Sequence, residues 1–113
     1  MQYRTEITGT FRKEFKRLNK RYPSLLQDIK GLREELMQNP LLGTDLGSGF
    51  RKIRMRITSK GKGKSGGARV ITFTVIAAVD ETEINLLYIY DKTERSSISI
   101  NELEELIRRN GLK

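Results

Sequence analysis

Residues 52–57 read Lys-Ile-Arg-Met-Arg-Ile, an uninterrupted alternation of cationic and apolar side chains. Successive side chains on a strand point to opposite faces. A strand here therefore puts Ile53, Met55 and Ile57 into a core and Lys52, Arg54 and Arg56 on the other face. Such a chain must build a sheet with one packed side and one cationic side, a pattern that antiparallel sheets tolerate. From Arg51 to Arg69 the basic residues are Arg51, Lys52, Arg54, Arg56, Lys60, Lys62, Lys64 and Arg69, with no Asp or Glu among them. Charge at that density repels itself unless an anion relieves it. Side chains at i and i+2 of a strand stand roughly 6.5 to 7 Å apart, close to the spacing of successive phosphates along a single nucleic-acid strand. The plain alternative is a solvated outer face, weakened by the absence of interspersed acids.

Within this stretch, residues 60–67 read KGKGKSGG and contain the GKS tripeptide of nucleotide-binding P-loops. The pattern needs a glycine where Thr58 stands, and it needs a helix after the loop to receive the phosphates. The following run, Arg69-Val70-Ile71-Thr72-Phe73-Thr74-Val75-Ile76, is β-branched and aromatic and reads as a strand instead. A mobile basic loop between two strands is expected, with no nucleoside triphosphate site.

Upstream, Gln2 to Thr8 reads as a short strand, and from Phe11 the period changes. Phe11, Phe15, Leu18 and Tyr22 recur at helical spacing, with Arg12, Lys13, Lys16, Arg17, Lys20 and Arg21 around the rest of the circumference. Pro23 interrupts, and Ser24 with Gln27 has the form of a capping box ahead of a second stripe at Leu25, Ile29, Leu32 and Leu36. Two helices so joined form a hairpin. Asn39-Pro40 ends the second, and Gly43, Gly47 and Gly49 mark an irregular loop to Phe50. The near-continuous apolar run from Arg69 to Ala77 suits a central strand. Asp80 to Glu83 reads as a turn. A last strand, Ile84 to Tyr90, sets Tyr88, Tyr90 and then Lys92 on one side. Ser99 and Glu102 form a capping box for a C-terminal helix, with Ile98 and Leu103 at staple positions and Gly111 past its end. The fold class is α+β: an N-terminal helical hairpin on a small, mainly antiparallel, twisted sheet with a short C-terminal helix, in a single domain over 1–113.

The 113 residues hold neither cysteine nor histidine, and the net charge is +8. These absences exclude Ser-His-Asp triads, histidine acid–base pairs and Cys- or His-based metal sites. The charge points to a polyanionic partner, foremost nucleic acid. No apolar run approaches the ~20 residues of a membrane span, so a soluble, cytoplasmic protein with no membrane partner is expected.

Taken in order, the helical hairpin, Phe50–Arg56, the segment GKSGGARVI and the segment YDKTE resemble the RelE/ParE toxin superfamily of type II toxin–antitoxin modules, nearest its RelE/HigB-like branch. The resemblance covers nearly the whole chain. It implies a ribosome-dependent endoribonuclease that cleaves mRNA with the substrate's own 2′-OH as nucleophile and with no metal or other cofactor. The implied partners are a cognate antitoxin, the ribosome and mRNA, with DNA contacted only through the antitoxin complex. Arg54, Arg56 and Arg69 match the family's basic active-site positions, with Lys92 as a further member and Lys52, Lys60, Lys62 and Lys64 as RNA contacts. The family's tyrosine after the last strand has no counterpart around Ile98 and Ser99, so Tyr90 is its substitute, with a lysine as rival. A gyrase inhibitor of the ParE type and a non-catalytic nucleic-acid-binding module are the alternative readings, since fold does not fix function.

Overall fold

The computed structural model describes residues 2–61, 63 and 66–112. Its elements run β1 (Gln2–Ile7), α1 (Gly9–Asn19), α2 (Leu25–Gln38), β2 (Thr44–Gly47), β3 (Phe50–Met55), a single 3-10 turn (Thr58–Lys60), β4 (Ala68–Ala78), β5 (Glu81–Asp91) and α3 (Ile100–Arg109). The architecture is α+β, with a five-stranded sheet in the order β1-β5-β4-β3-β2. The sheet is mixed. β1 runs parallel to β5, with Thr5 opposite Ile84 and Ile7 opposite Leu86, while the other pairs are antiparallel.

β4 takes the central place that its apolar run demanded. Val70 is buried under α1 and α2, while Ile71 and Phe73 are buried on the opposite face under α3. The two helical elements therefore sandwich the sheet: the stripes Phe11, Leu18 and Leu25, Ile29, Leu32, Leu36 cover one side, and Leu103, Leu106 and Ile107 cover part of the other. This second layer covers the middle of the α3 face and leaves it open at the end of β3 that carries Arg54.

Local chemistry sets the element ends. The Thr8 hydroxyl caps α1 by accepting the Phe11 N–H at 3.1 Å and itself donates towards the carbonyls of Leu86 and Leu87, fixing the helix to β5. The capping box expected at Ser24 and Gln27 does not form. The Ser24 hydroxyl instead donates to Asp28 at 2.8 Å and accepts the N–H of Ser59 at 2.9 Å, because the 3-10 turn packs on the start of α2. At α3 the box is complete between Ser99 and Glu102, and Gly111 adopts a left-handed φ of +65°. The glycine-rich stretch before Phe50 contains β2, which its composition concealed. The turn between β4 and β5 is shorter than expected, with β5 already begun at Glu81.

β5 carries the irregularity that matters most. Ile71 pairs with Tyr88 and Thr72 with Leu86, so Leu87 is an extra residue in the ladder. A bulge of this kind shifts the alternation by one. Before it, Ile84 and Leu86 face the α1–α2 layer; after it, Ile89 does so, and Leu87 and Tyr90 face α3.

Candidate active site

Register brings three side chains into line. Arg54 on β3 lies opposite Arg69 on β4, and Arg69 lies opposite Tyr90 on β5. All three are on the α3 side of the sheet, at its open end. Adjacent strands are about 4.8 Å apart, so the row spans roughly 10 Å of sheet. Arg54 is exposed, whereas Arg69 and Tyr90 are buried at 5% and 2% relative exposure. The Arg69 guanidinium donates to the carbonyl of Ala68 at 3.2 Å. The Tyr90 hydroxyl is buried and has no hydrogen-bond partner among the described residues.

Burial, reinforced by the charge of Arg54 and opposed by Tyr90, lowers the pKa of Arg69. Burial raises that of Tyr90, against the opposing pull of Arg69 and Arg95. Tyr90 is accordingly a neutral phenol at physiological pH and a hydrogen-bond donor. Arg69 stays charged, since guanidinium is not deprotonated in proteins, and its poor hydration strengthens its attraction for an incoming anion.

Around the row, Lys52 sits one strand repeat from Arg54 on the same face, opposite Ile71, which is in turn opposite Tyr88. Tyr88 and Tyr90 are in ring contact, with centroids 6.1 Å apart. Arg95, from the segment between β5 and α3, stacks 5.8 Å over the Tyr88 ring, reaches its hydroxyl at 3.4 Å, and is tied to Glu102 of α3. Arg95 was not singled out from the sequence; its only signal there is a cation four residues after the Tyr-Asp dipeptide.

Other expected members lie elsewhere. β3 ends at Met55, so Arg56 is exposed beyond the ladder although Ile57 remains buried. Lys92 bends back to donate from its ammonium to the carbonyl of Ser96 at 2.9 Å, while its backbone N–H bonds the carbonyl of Gly67. Lys60 is not a loop cation open to RNA. Its Nζ is 2.7 Å from the Asp91 carboxylate and 5.6 Å from the centre of the Tyr22 ring, with its side chain 10% exposed. Asp91 is fully buried and also accepts from the Tyr22 hydroxyl at 2.5 Å and the Thr93 hydroxyl at 2.8 Å. Burial alone would push its pKa up; the bonds from Lys60, Tyr22 and Thr93 outweigh it and hold the carboxyl well below the usual carboxylate range. Lys62 and Lys64 lie outside the described residues.

Fold and site together define a small basic α+β domain that presents guanidinium groups and a buried phenol in one row at the open end of a sheet. Residues 7–110 match the family described as RelE toxin of the RelE/RelB toxin–antitoxin system. The chain belongs to this family of toxins, and membership implies an antitoxin as partner. No helix is long and apolar enough to cross a membrane among the described residues.

Proposed function

We propose that this toxin is a metal-independent endoribonuclease that cuts mRNA in the decoding site of the ribosome, with the 2′-OH next to the cut as nucleophile. The observation that carries the reading is the Arg54–Arg69–Tyr90 row, in which a buried phenol with no hydrogen-bond partner among the described residues adjoins a buried guanidinium and an exposed one. Attack of the 2′-oxygen on phosphorus forms a cyclic 2′,3′-phosphate and breaks the bond to the 5′-oxygen. Arg69, whose planar fork suits two phosphate oxygens, and Arg54 offset the charge that accumulates on the phosphorane-like transition state. The phenolic proton of Tyr90 goes to the departing 5′-oxygen. The 2′-OH proton passes to Lys52, on the same face as Arg54, acting from its neutral amine form. Lys92, whose ammonium is held by the Ser96 carbonyl, is left out of the base role. Arg56, Lys62 and Lys64 then serve as contacts to flanking phosphates, whereas Lys60 is assigned to the Asp91 pair rather than to RNA.

Purified protein added to ribosomes carrying an mRNA should create new 5′ ends inside codons, detected by primer extension, with cyclic phosphate on the upstream fragment. Intact mRNA in the presence of folded, ribosome-bound protein would sink this reading, and inhibition of gyrase by the same preparation would replace it with the ParE-like alternative.

A further inference from the structure

Tyr88 and Arg95 have a second side. Beyond them a cavity of about 710 Å³ opens between the first turns of α1 and the length of α3, within the ~300–1,000 Å³ typical of small-ligand sites. Ile98, Leu106 and Tyr88 provide its apolar wall. Three acids reach it, but each is already held: Glu14 by Arg17, Glu102 by Arg95, and Glu105 by Arg108. Lys13 and Arg109 also line the cavity and are exposed, and neither makes a hydrogen bond or ion pair among the described residues. Arg109 feels Glu105 only at a distance, and that carboxylate is engaged by Arg108. The lining thus carries three acids and three bases, and its cations without a partner of their own among the described residues are Lys13 and Arg109. Asn101 adds an exposed amide with no side-chain hydrogen bond among the described residues, offering a donor and an acceptor together.

We propose that this cavity is a nucleotide subsite for the RNA beside the cut: Lys13 and Arg109 hold flanking phosphates, the apolar wall packs the base, and Asn101 reads the base edge. The paired donor and acceptor of an amide are what such an edge requires. Continuity supports the same occupant. Tyr88 belongs to the cavity wall and stands two residues along β5 from Tyr90, about 7 Å, roughly one nucleotide step from the reactive row. An acidic peptide would satisfy the two cations but leave the amide and the junction with the row unused. The inference rests on the RNA-cleaving reading above, and its test separates the two.

A trinucleotide RNA with deoxyribose at the cleavage position, titrated into the isotopically labelled full chain, should shift the backbone amides of Lys13, Asn101 and Arg109 together with those of the reactive row. Replacing Lys13 and Arg109 by alanine should weaken this binding about tenfold at low salt and reduce the slope of log affinity against log salt by about 1.4, the value for two lost phosphate contacts on a single strand. Asn101→Ala should relax the base preference at one position beside the cut by about tenfold, with thermal unfolding unchanged because the side chain is exposed. Cavity shifts from a protein that fails to cut ribosome-bound mRNA would uphold the subsite and remove the cleavage reading. Cleavage that proceeds with no cavity shifts and with an unaltered base preference in Asn101→Ala would overturn the subsite alone, as would cavity shifts produced by an acidic peptide and not by RNA.

Discussion

The Tyr90 hydroxyl, buried without a hydrogen-bond partner among the described residues, costs the fold about 1–3 kcal/mol in unreplaced hydration. Tyr90→Phe should therefore leave the protein as stable or raise its unfolding free energy by up to ~2 kcal/mol, while cleavage of ribosome-bound mRNA falls by roughly a hundredfold for want of a proton donor. Thermal unfolding and single-turnover cleavage on the same variant check both halves, and a loss of stability matching the loss of activity would make the hydroxyl structural. The pH dependence has a definite sign. Burial raises the pKa of Tyr90, so the folded state favours the neutral phenol. That contribution is present below the phenol's ordinary pKa of about 10 and is lost as pH rises through the raised value. The phenylalanine variant should thus resist alkaline unfolding better than the parent. For Arg69 the expectation is opposite in kind. Arg69→Ala should lower cleavage by about two to three orders of magnitude, the scale of one preorganised donor, with ribosome affinity much less affected because other cations still meet phosphates. Arg69→Lys should rescue poorly, since a point charge cannot reproduce the fork. Asp91 was the carboxylate that could have made Arg69 a merely structural cation, but Asp91 is spent on Lys60, Tyr22 and Thr93.

Elements place these side chains, and two residues at the mouth of the loop between β3 and β4 control how. A Cβ on Gly67 would meet the Met55 carbonyl oxygen at 2.2 Å, so Gly67→Ala must push β4 away from β3 just where Arg69 faces Arg54. A stability loss of about 1–3 kcal/mol with a disproportionate fall in cleavage is the expected outcome, read by denaturant unfolding beside kinetics. Asp91 ties the end of β5 to the 3-10 turn and to the joint between α1 and α2. Asp91→Asn leaves Lys60 buried without its counter-charge and should cost about 3–5 kcal/mol. Because its folded-state pKa is depressed, the stabilisation by Asp91 is complete above its ordinary value of about 4 and fades as pH falls below that. The parent should lose stability in this acid range more steeply than the asparagine variant. The alternation of residues 52–57 made Ile53, Met55 and Arg54 legible in sequence, since period 2 assigns faces without tertiary information. The line from Arg54 through Arg69 to Tyr90 needed the register, which depends on a bulge at Leu87 that no local signal marks. Lys60 looked like one more loop cation because its anion, Asp91, is 31 residues away. The parallel pairing of β1 with β5, and α3 on the opposite face from α1 and α2, are likewise long-range choices.

At the scale of the molecule, ion pairing is uneven. The acids of β1, β5, α1 and α3 largely find arginines: Glu81 and Glu83 meet Arg4, and Glu94 meets Arg17 and Arg21. Arg54 and Arg56, by contrast, make no ion pair among the described residues, so part of the excess of a chain carrying +8 lies beside the Arg54–Arg69–Tyr90 row. Salt should then act on the free protein and on its complex with opposite signs. Screening relieves the repulsion among unpaired cations within a Debye length of about 8–10 Å, whereas exposed pairs such as Arg108–Glu105 contribute only about 0–1 kcal/mol to be lost. The melting temperature of the free toxin should rise between roughly 50 and 200 mM salt. Over the same range its affinity for ribosomes or single-stranded RNA should fall on a linear log–log plot, as released counterions require. Removing the charges of Arg54 and Arg56 together should flatten both responses in part, because this cluster contributes to both. A melting temperature that drops with salt would mean the ion pairs outweigh the repulsion. A double variant that loses only the binding response would separate the cations that repel one another from those that meet RNA.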